Sequence, residues 1–197
     1  MTSAWRPGGW YEPARAVASP NFGPRTGSLV ELVIVHSISL PPGRYGGDAI
    51  ERLFTNRLDD VADLHPGLAR LRGTRVSAHF LIRRDGGLLQ FVGCDDKAWH
   101  AGESQWHGRP ACNDYSVGIE LEGLEGLCFE SRQYDVLADL LRALAGRYPI
   151  QGIAGHEHVA AGRKHDPGAG FDWERLRKMT GWSAPYFPEG AAAADWP

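Results

Sequence analysis

The chain has 197 residues, a formal net charge of -3, 43% apolar content and 23% charged content. That length suffices to bury one core without disulfides or a structural metal, and the charge balance excludes the basic footprint of a nucleic-acid-binding protein. The three cysteines, Cys94, Cys112 and Cys128, are too few and too widely spaced for a disulfide framework or a CxxC metal clip, and no motif around them marks a nucleophile.

Residues 1–28 are rich in Gly, Pro, Ser and Arg and carry no period, so the expectation is an irregular N-terminal arm packed on the domain. No basic region there leads into an apolar one, as a secretion signal requires. The most apolar run, "LVELVIV" at Leu29 to Val35, is too short for a membrane span and is broken by Glu31. These features predict a soluble cytoplasmic protein with neither membrane nor nucleic acid as partner.

"LVELVIVHS" reads as a buried strand that delivers His36 to its C-terminal end. Ile50, Leu53, Phe54 and Leu58 then recur at helical spacing, with Asp48 placed to cap them. "VSAHFLIRRDGGLLQFVG" predicts two strands joined by a hairpin turn at Asp85-Gly86. "SVGIELEG" alternates, with Val117, Ile119 and Leu121 on an apolar face and Glu120 and Glu122 on the other. From Ser131 to Tyr148 the spacing of Tyr134, Leu137, Leu140, Leu141 and Leu144 predicts a long amphipathic helix that Pro149 ends. "IQGIAGH" predicts a short strand with His156 at its far end, and "DWERLRKM" a last helix capped by Asp172. The fold class this implies is α/β: one domain over residues 29–182, a mixed central β-sheet flanked by helices, and a Pro/Ala-rich tail over 183–197.

Two strands far apart in sequence thus each end in a histidine. A hydrolytic zinc site takes three protein ligands and leaves one position open, and Asp166 is the best candidate for the third, because Pro167-Gly168 favours a turn that folds it back toward His156. Two neutral imidazoles and one carboxylate leave such a site about +1, which preserves Lewis acidity. Glu120 is then placed to take a proton from the attacking water, and Lys164 to stabilise an oxyanion. Spacing alone leaves His158 and His165 as competing ligands and leaves open a Glu120/Glu122 pair of the kind used on glycosides. His65 and His107 read as solvated loop residues, and His79 as a core or pocket-wall imidazole.

The blocks "VHSISLPPGRYGG", "RVSAHFLIRRDG", "KAWHAG", "CNDYSVGIELEG" and "GHEHVAAGRKHDPGAGFDW" resemble the 1,6-anhydro-N-acetylmuramyl-L-alanine amidases (AmpD type). These belong to the zinc amidase superfamily that also contains peptidoglycan recognition proteins. The match is collinear from about Trp10 to Met179. The resemblance implies one Zn2+ per chain held by His36, His156 and Asp166, with Glu120 activating water and Lys164 stabilising the transition state. It implies a monomer that cuts the lactyl amide of a small-molecule substrate, the anhydro-muropeptides of cell-wall recycling, and in some bacteria controls β-lactamase induction. Arg75, Trp99, Arg109 and Ser37 fall where family members bind substrate, Ser37 standing where Asn is usual. His158 and His165 fall where Asp and Thr are common, which argues against either as an essential ligand. A peptidoglycan-binding module without catalysis and an amidase of polymeric wall are the alternatives; the complete set with Glu120 and Lys164 speaks against the first.

Overall fold

The structure, a computed structural model, describes residues 4–188. Six strands make the central sheet: β1 (Arg15–Ala16), β2 (Leu32–Ile38), β3 (Phe80–Ile82), β4 (Leu88–Gln90), β5 (Ser116–Glu122) and β6 (Gly152–Gly155). Their spatial order is β6-β2-β5-β3-β4-β1. Only the β3-β4 hairpin is antiparallel, and the other neighbours run parallel. The expected mixed sheet flanked by helices is therefore what the chain builds.

The β-branched run of β2 is buried on both faces, as a parallel strand between two layers must be. On one side, Tyr134, Leu137, Leu141 and Leu144 of the helix Ser131–Ala145 pack against Val33, Val35, Val117 and Ile119. That helix opens on a capping box between Glu130 and Gln133. On the other side, Ile50, Leu53 and Phe54 close over Leu81, Leu89 and Phe91. A closing helix, Trp173–Thr180, starts at Asp172, whose carboxylate accepts from the Arg175 N–H at 2.8 Å. No described helix is long and apolar enough to cross a membrane.

Several local expectations need correction. The helix after the first loop is shorter than its apolar spacing suggested: it covers Ala49–Phe54, Asn56 turns left-handed at φ 59°, and Leu58 opens a separate 3-10 segment, Leu58–Leu64. Asp48 stands at the N-cap, but its carboxylate takes the Arg52 guanidinium at 2.8 Å instead of a helix N–H. The carboxylate face of β5 is enclosed as well as its apolar face, since all seven of its residues are buried. The N-terminal arm holds short strand pairings that its sequence does not announce. It contributes strands Trp5–Arg6, Trp10–Tyr11, β1 and Phe22–Pro24, the last pairing with Asp96–Ala98. From the end of this arm Arg25 donates to the carbonyls of Cys94, Asn113, Asp114 and Ser116, satisfying four backbone acceptors with one side chain. Of the C-terminal tail, Ala184–Tyr186 forms a 3-10 turn and Phe187 is buried, while residues 189–197 lie outside the described residues.

Candidate metal centre

Strands β2 and β5 pair so that Glu120 stands opposite His36, and paired positions project to the same face. Strand β6, parallel on the other side of β2, ends at Gly155 and passes into the short helix His156–Val159. A Cβ at Gly155 would lie 2.8 Å from the Pro167 ring, so glycine there lets the strand end meet the returning loop. The return is pinned by the Glu157 N–H, which donates to the Asp166 carbonyl at 2.9 Å.

Three ligand atoms converge as a result. His36 Nδ1 lies 3.0 Å from His156 Nδ1, and Asp166 Oδ2 lies 3.3 Å from the first and 3.2 Å from the second. Ligands about 2.0–2.1 Å from a tetrahedral ion sit about 3.3 Å from one another, so this triangle has the size a zinc ion requires. Among the described residues it is the one such group of three. Glu120 Oε2 is buried and has no hydrogen-bond partner among the described residues, a cost that a ligand or water in the centre would remove.

Burial sets the charge states. It pushes the His36 imidazole down to about 4, against the pull of Asp166, and holds His100 well below the usual histidine range. Burial, then the Arg25 charge, takes His79 down to about 3. Burial would raise Asp166, but hydrogen bonds with His156 and His36 outweigh it and hold the carboxyl below its ordinary range. Glu120 goes the other way, pushed well above the carboxylate range by burial and by the Asp166 charge, with Lys164 opposing.

These directions predict the acid behaviour of the metal-free protein. His36, His79 and His100 stay neutral when folded but take up protons when unfolded, so the stability they protect is lost as pH falls from about 6.5 toward 4. For His36 alone, a fall from 6.5 to about 4 corresponds to about 3 kcal/mol. Glu120 and the half-buried Glu157 have the opposite sign, losing stability as pH rises, while His158, lowered by burial, adds to the three histidines. Thermal melts of chelator-treated protein are expected to show a lower Tm near about pH 5 than near about pH 7; equal values would contradict these charge states.

The centre lies in a groove of about 420 Å³ whose wall includes Ser37, Trp99, Glu120 and Lys164. Trp99 is 38% exposed there. Arg75 is exposed beside Val76 and Ser77, which line the groove. Arg109 does not line it. It lies over the Tyr115 ring, pairs with Glu31, and belongs to a second cavity of about 300 Å³ with Trp106 and Gln151.

The competing ligands separate cleanly. His158 Nδ1 accepts from the Gly155 N–H at 2.9 Å and its ring meets Trp173, while His165 is exposed at the groove. Glu122 is no partner for Glu120: it accepts from Arg83 at 2.8 Å and from the Gly46 N–H at 2.7 Å, tying a loop to the hairpin. His79 is a fully buried imidazole whose Nδ1 accepts from the Gly118 N–H. His107 is exposed, and His65 caps the short helix Pro66–Ala69 by accepting from the Gly67 N–H. All three cysteines are free.

Sequence reasoning missed His100, whose Nδ1 lies 2.9 Å from His36 Nε2. Its one signal was Gly118, a glycine inside an alternating strand: a Cβ there would lie 2.5 Å from the His100 ring.

The profile of N-acetylmuramoyl-L-alanine amidases (Amidase_2) matches residues 26–169. The chain belongs to this family. The amidase is 49% identical to the 1,6-anhydro-N-acetylmuramyl-L-alanine amidase AmpD of Escherichia coli (strain K12) over 174 residues, 87% of this chain and 94% of that protein. A crystal structure of a selenomethionine derivative of AmpD superposes with a TM-score of 0.84 at 46% identity, over 91% of this chain and 99% of that one. The Escherichia coli amidase AmiD, solved with its substrate anhydro-N-acetylmuramic acid-L-Ala-D-gamma-Glu-L-Lys, matches at a TM-score of 0.55 and 28% identity, over 80% of this chain and 58% of that one.

Proposed function

We propose that this amidase binds one zinc ion through His36, His156 and Asp166 and hydrolyses the amide between anhydro-N-acetylmuramic acid and the L-alanine of a stem peptide. The observation that carries this reading is the triangle of two Nδ1 atoms and one carboxylate oxygen facing a buried, unpartnered Glu120. The names of its AmpD relatives support the substrate, as does the ligand held by AmiD. The reading puts the enzyme in cytoplasmic muropeptide recycling, acting as a monomer on a small-molecule substrate.

A bound zinc would polarise the scissile carbonyl and make water a stronger acid. The chain's own residues do the proton work. Glu120 takes the proton as water attacks the carbonyl carbon, Lys164 donates to the oxygen as charge builds there, and Glu120 passes the proton to the departing alanine nitrogen. The C–N bond breaks, leaving a lactyl carboxylate on the sugar and a free stem peptide. Trp99, presented on the groove wall, suits the face of the sugar, Ser37 on the same wall suits a polar part of the substrate, and Arg75, next in sequence to the lining residue Val76, would suit a peptide carboxylate.

Mass spectrometry of products from an anhydro-muropeptide and, in parallel, from intact sacculi tests the reading. Free stem peptide is expected from the anhydro substrate. Release from sacculi alone would replace this substrate with polymeric wall, and release from neither would leave a binding module.

A further inference from the structure

We propose that the dipeptide His100-Ala101 orients both histidine ligands, His100 through its side chain and Ala101 through its carbonyl, and that Asn113 holds the dipeptide in place. The inference rests on the metal reading above. His36 and His156 both turn Nδ1 toward the centre, so each presents Nε2 outward. His36 Nε2 lies 2.9 Å from His100 Nδ1, and His156 Nε2 lies 3.2 Å from the Ala101 carbonyl oxygen. Adjacent residues of one loop therefore supply an acceptor to each ligand.

An imidazole that gives Nδ1 to a metal must carry its proton on Nε2, and a fixed acceptor at Nε2 selects that tautomer and locks the ring angle. For His36 the acceptor is an imidazole, which must itself be protonated on the far nitrogen. His100 Nε2 lies 3.3 Å from the Ser116 hydroxyl, which completes a consistent chain from Ser116 through His100 to His36. Both acceptors are uncharged. The centre accordingly keeps the charge set by two imidazoles and one carboxylate, where a carboxylate in the place of His100 would lower it.

The dipeptide is itself held. The N–H groups of His100 and Ala101 both donate to Asn113 Oδ1, at 3.2 and 2.9 Å. Arg163, from the loop that carries Asp166, donates to the Ala101 carbonyl at 2.7 Å and to the Glu103 carbonyl at 2.6 Å. Gly118 leaves room for the His100 ring against β5. His100 and Ala101 of "KAWHAG" and Asn113 at the start of "CNDYSVGIELEG" acquire a role in this way.

The test uses zinc titrations in competition with a chromophoric chelator, together with long-range proton–nitrogen NMR of the zinc-loaded wild type. The NMR is expected to show His36 and His156 each protonated on Nε2 and His100 protonated on Nε2. His100→Ala is expected to weaken zinc about tenfold to a hundredfold, with Asn113→Ala losing less. His100→Asn, whose amide oxygen can occupy the place of Nδ1, should recover most of that loss, which a purely space-filling role for His100 would not produce. Unchanged zinc affinity in His100→Ala, or a proton on His36 Nδ1 in the loaded wild type, would overturn the proposal. The NMR needs no variant and decides even if His100→Ala fails to fold. A wild type that takes up no zinc would overturn the metal reading and this inference with it, whereas normal wild-type uptake with an indifferent His100→Ala removes the inference alone.

Discussion

Asp166→Ala is expected to lose its zinc on dialysis and, with it, turnover. The side chain offers one of the three converging ligand atoms and the only carboxylate oxygen among them, so removing it leaves two imidazole nitrogens 3.0 Å apart. Losing a metal's several kcal/mol of transition-state stabilisation corresponds to a rate lower by roughly a thousandfold or more. His158→Ala provides the control from the same segment. It removes the acceptor of the Gly155 N–H and a ring contact with Trp173, which costs stability on the order of 1 kcal/mol, but it takes nothing from the metal. Elemental analysis should find about one zinc in His158→Ala and almost none in Asp166→Ala. The opposite pattern would make the ligand assignment wrong.

What could be read in advance follows from which interactions leave a periodic trace. The long helix and the Asp85-Gly86 hairpin announce themselves because burial of one face imposes 3.6-residue spacing and the turn requires specific residues. His36 was visible because β2 reads as one continuous apolar run, although the strand goes on to Ile38, and His156 because it follows a short apolar run, although it opens a helix directly after β6; Asp166 was suggested by the turn-forming Pro167-Gly168. Helix termination at Phe54 was hidden, because Leu58 continues the apolar spacing while Asn56 breaks the backbone. The N-terminal pairings were hidden too: strands of two or three residues are held by backbone hydrogen bonds, which carry no side-chain period. Glu120 and Glu122 are equivalent in an alternating pattern, and only the third dimension gives Glu122 its arginine and leaves Glu120 unpaired. His100 lies in a loop, where long-range contacts decide position and sequence spacing says little.

Glu120→Gln is expected to keep zinc and lose turnover, by roughly a hundredfold to ten-thousandfold, the range that a positioned base contributes. Glutamine keeps the volume but cannot accept and return a proton. The substitution also has a consequence for stability that a merely disruptive change would not share. Burial and Asp166 push the Glu120 carboxyl up, so near neutral pH in the metal-free protein its ionisation is opposed by the fold, and an uncharged amide removes that cost. Metal-free Glu120→Gln should therefore melt at or above the wild-type temperature at about pH 7, with the difference shrinking as pH falls and the wild-type carboxyl becomes neutral. Stability kept or gained together with activity lost is the signature of a group held in an unfavourable state for its chemistry. A Glu120→Gln protein that turns over at the wild-type rate would remove Glu120 from the mechanism. One that is inactive because it has lost its zinc would make the side chain part of the metal site instead of the base beside it.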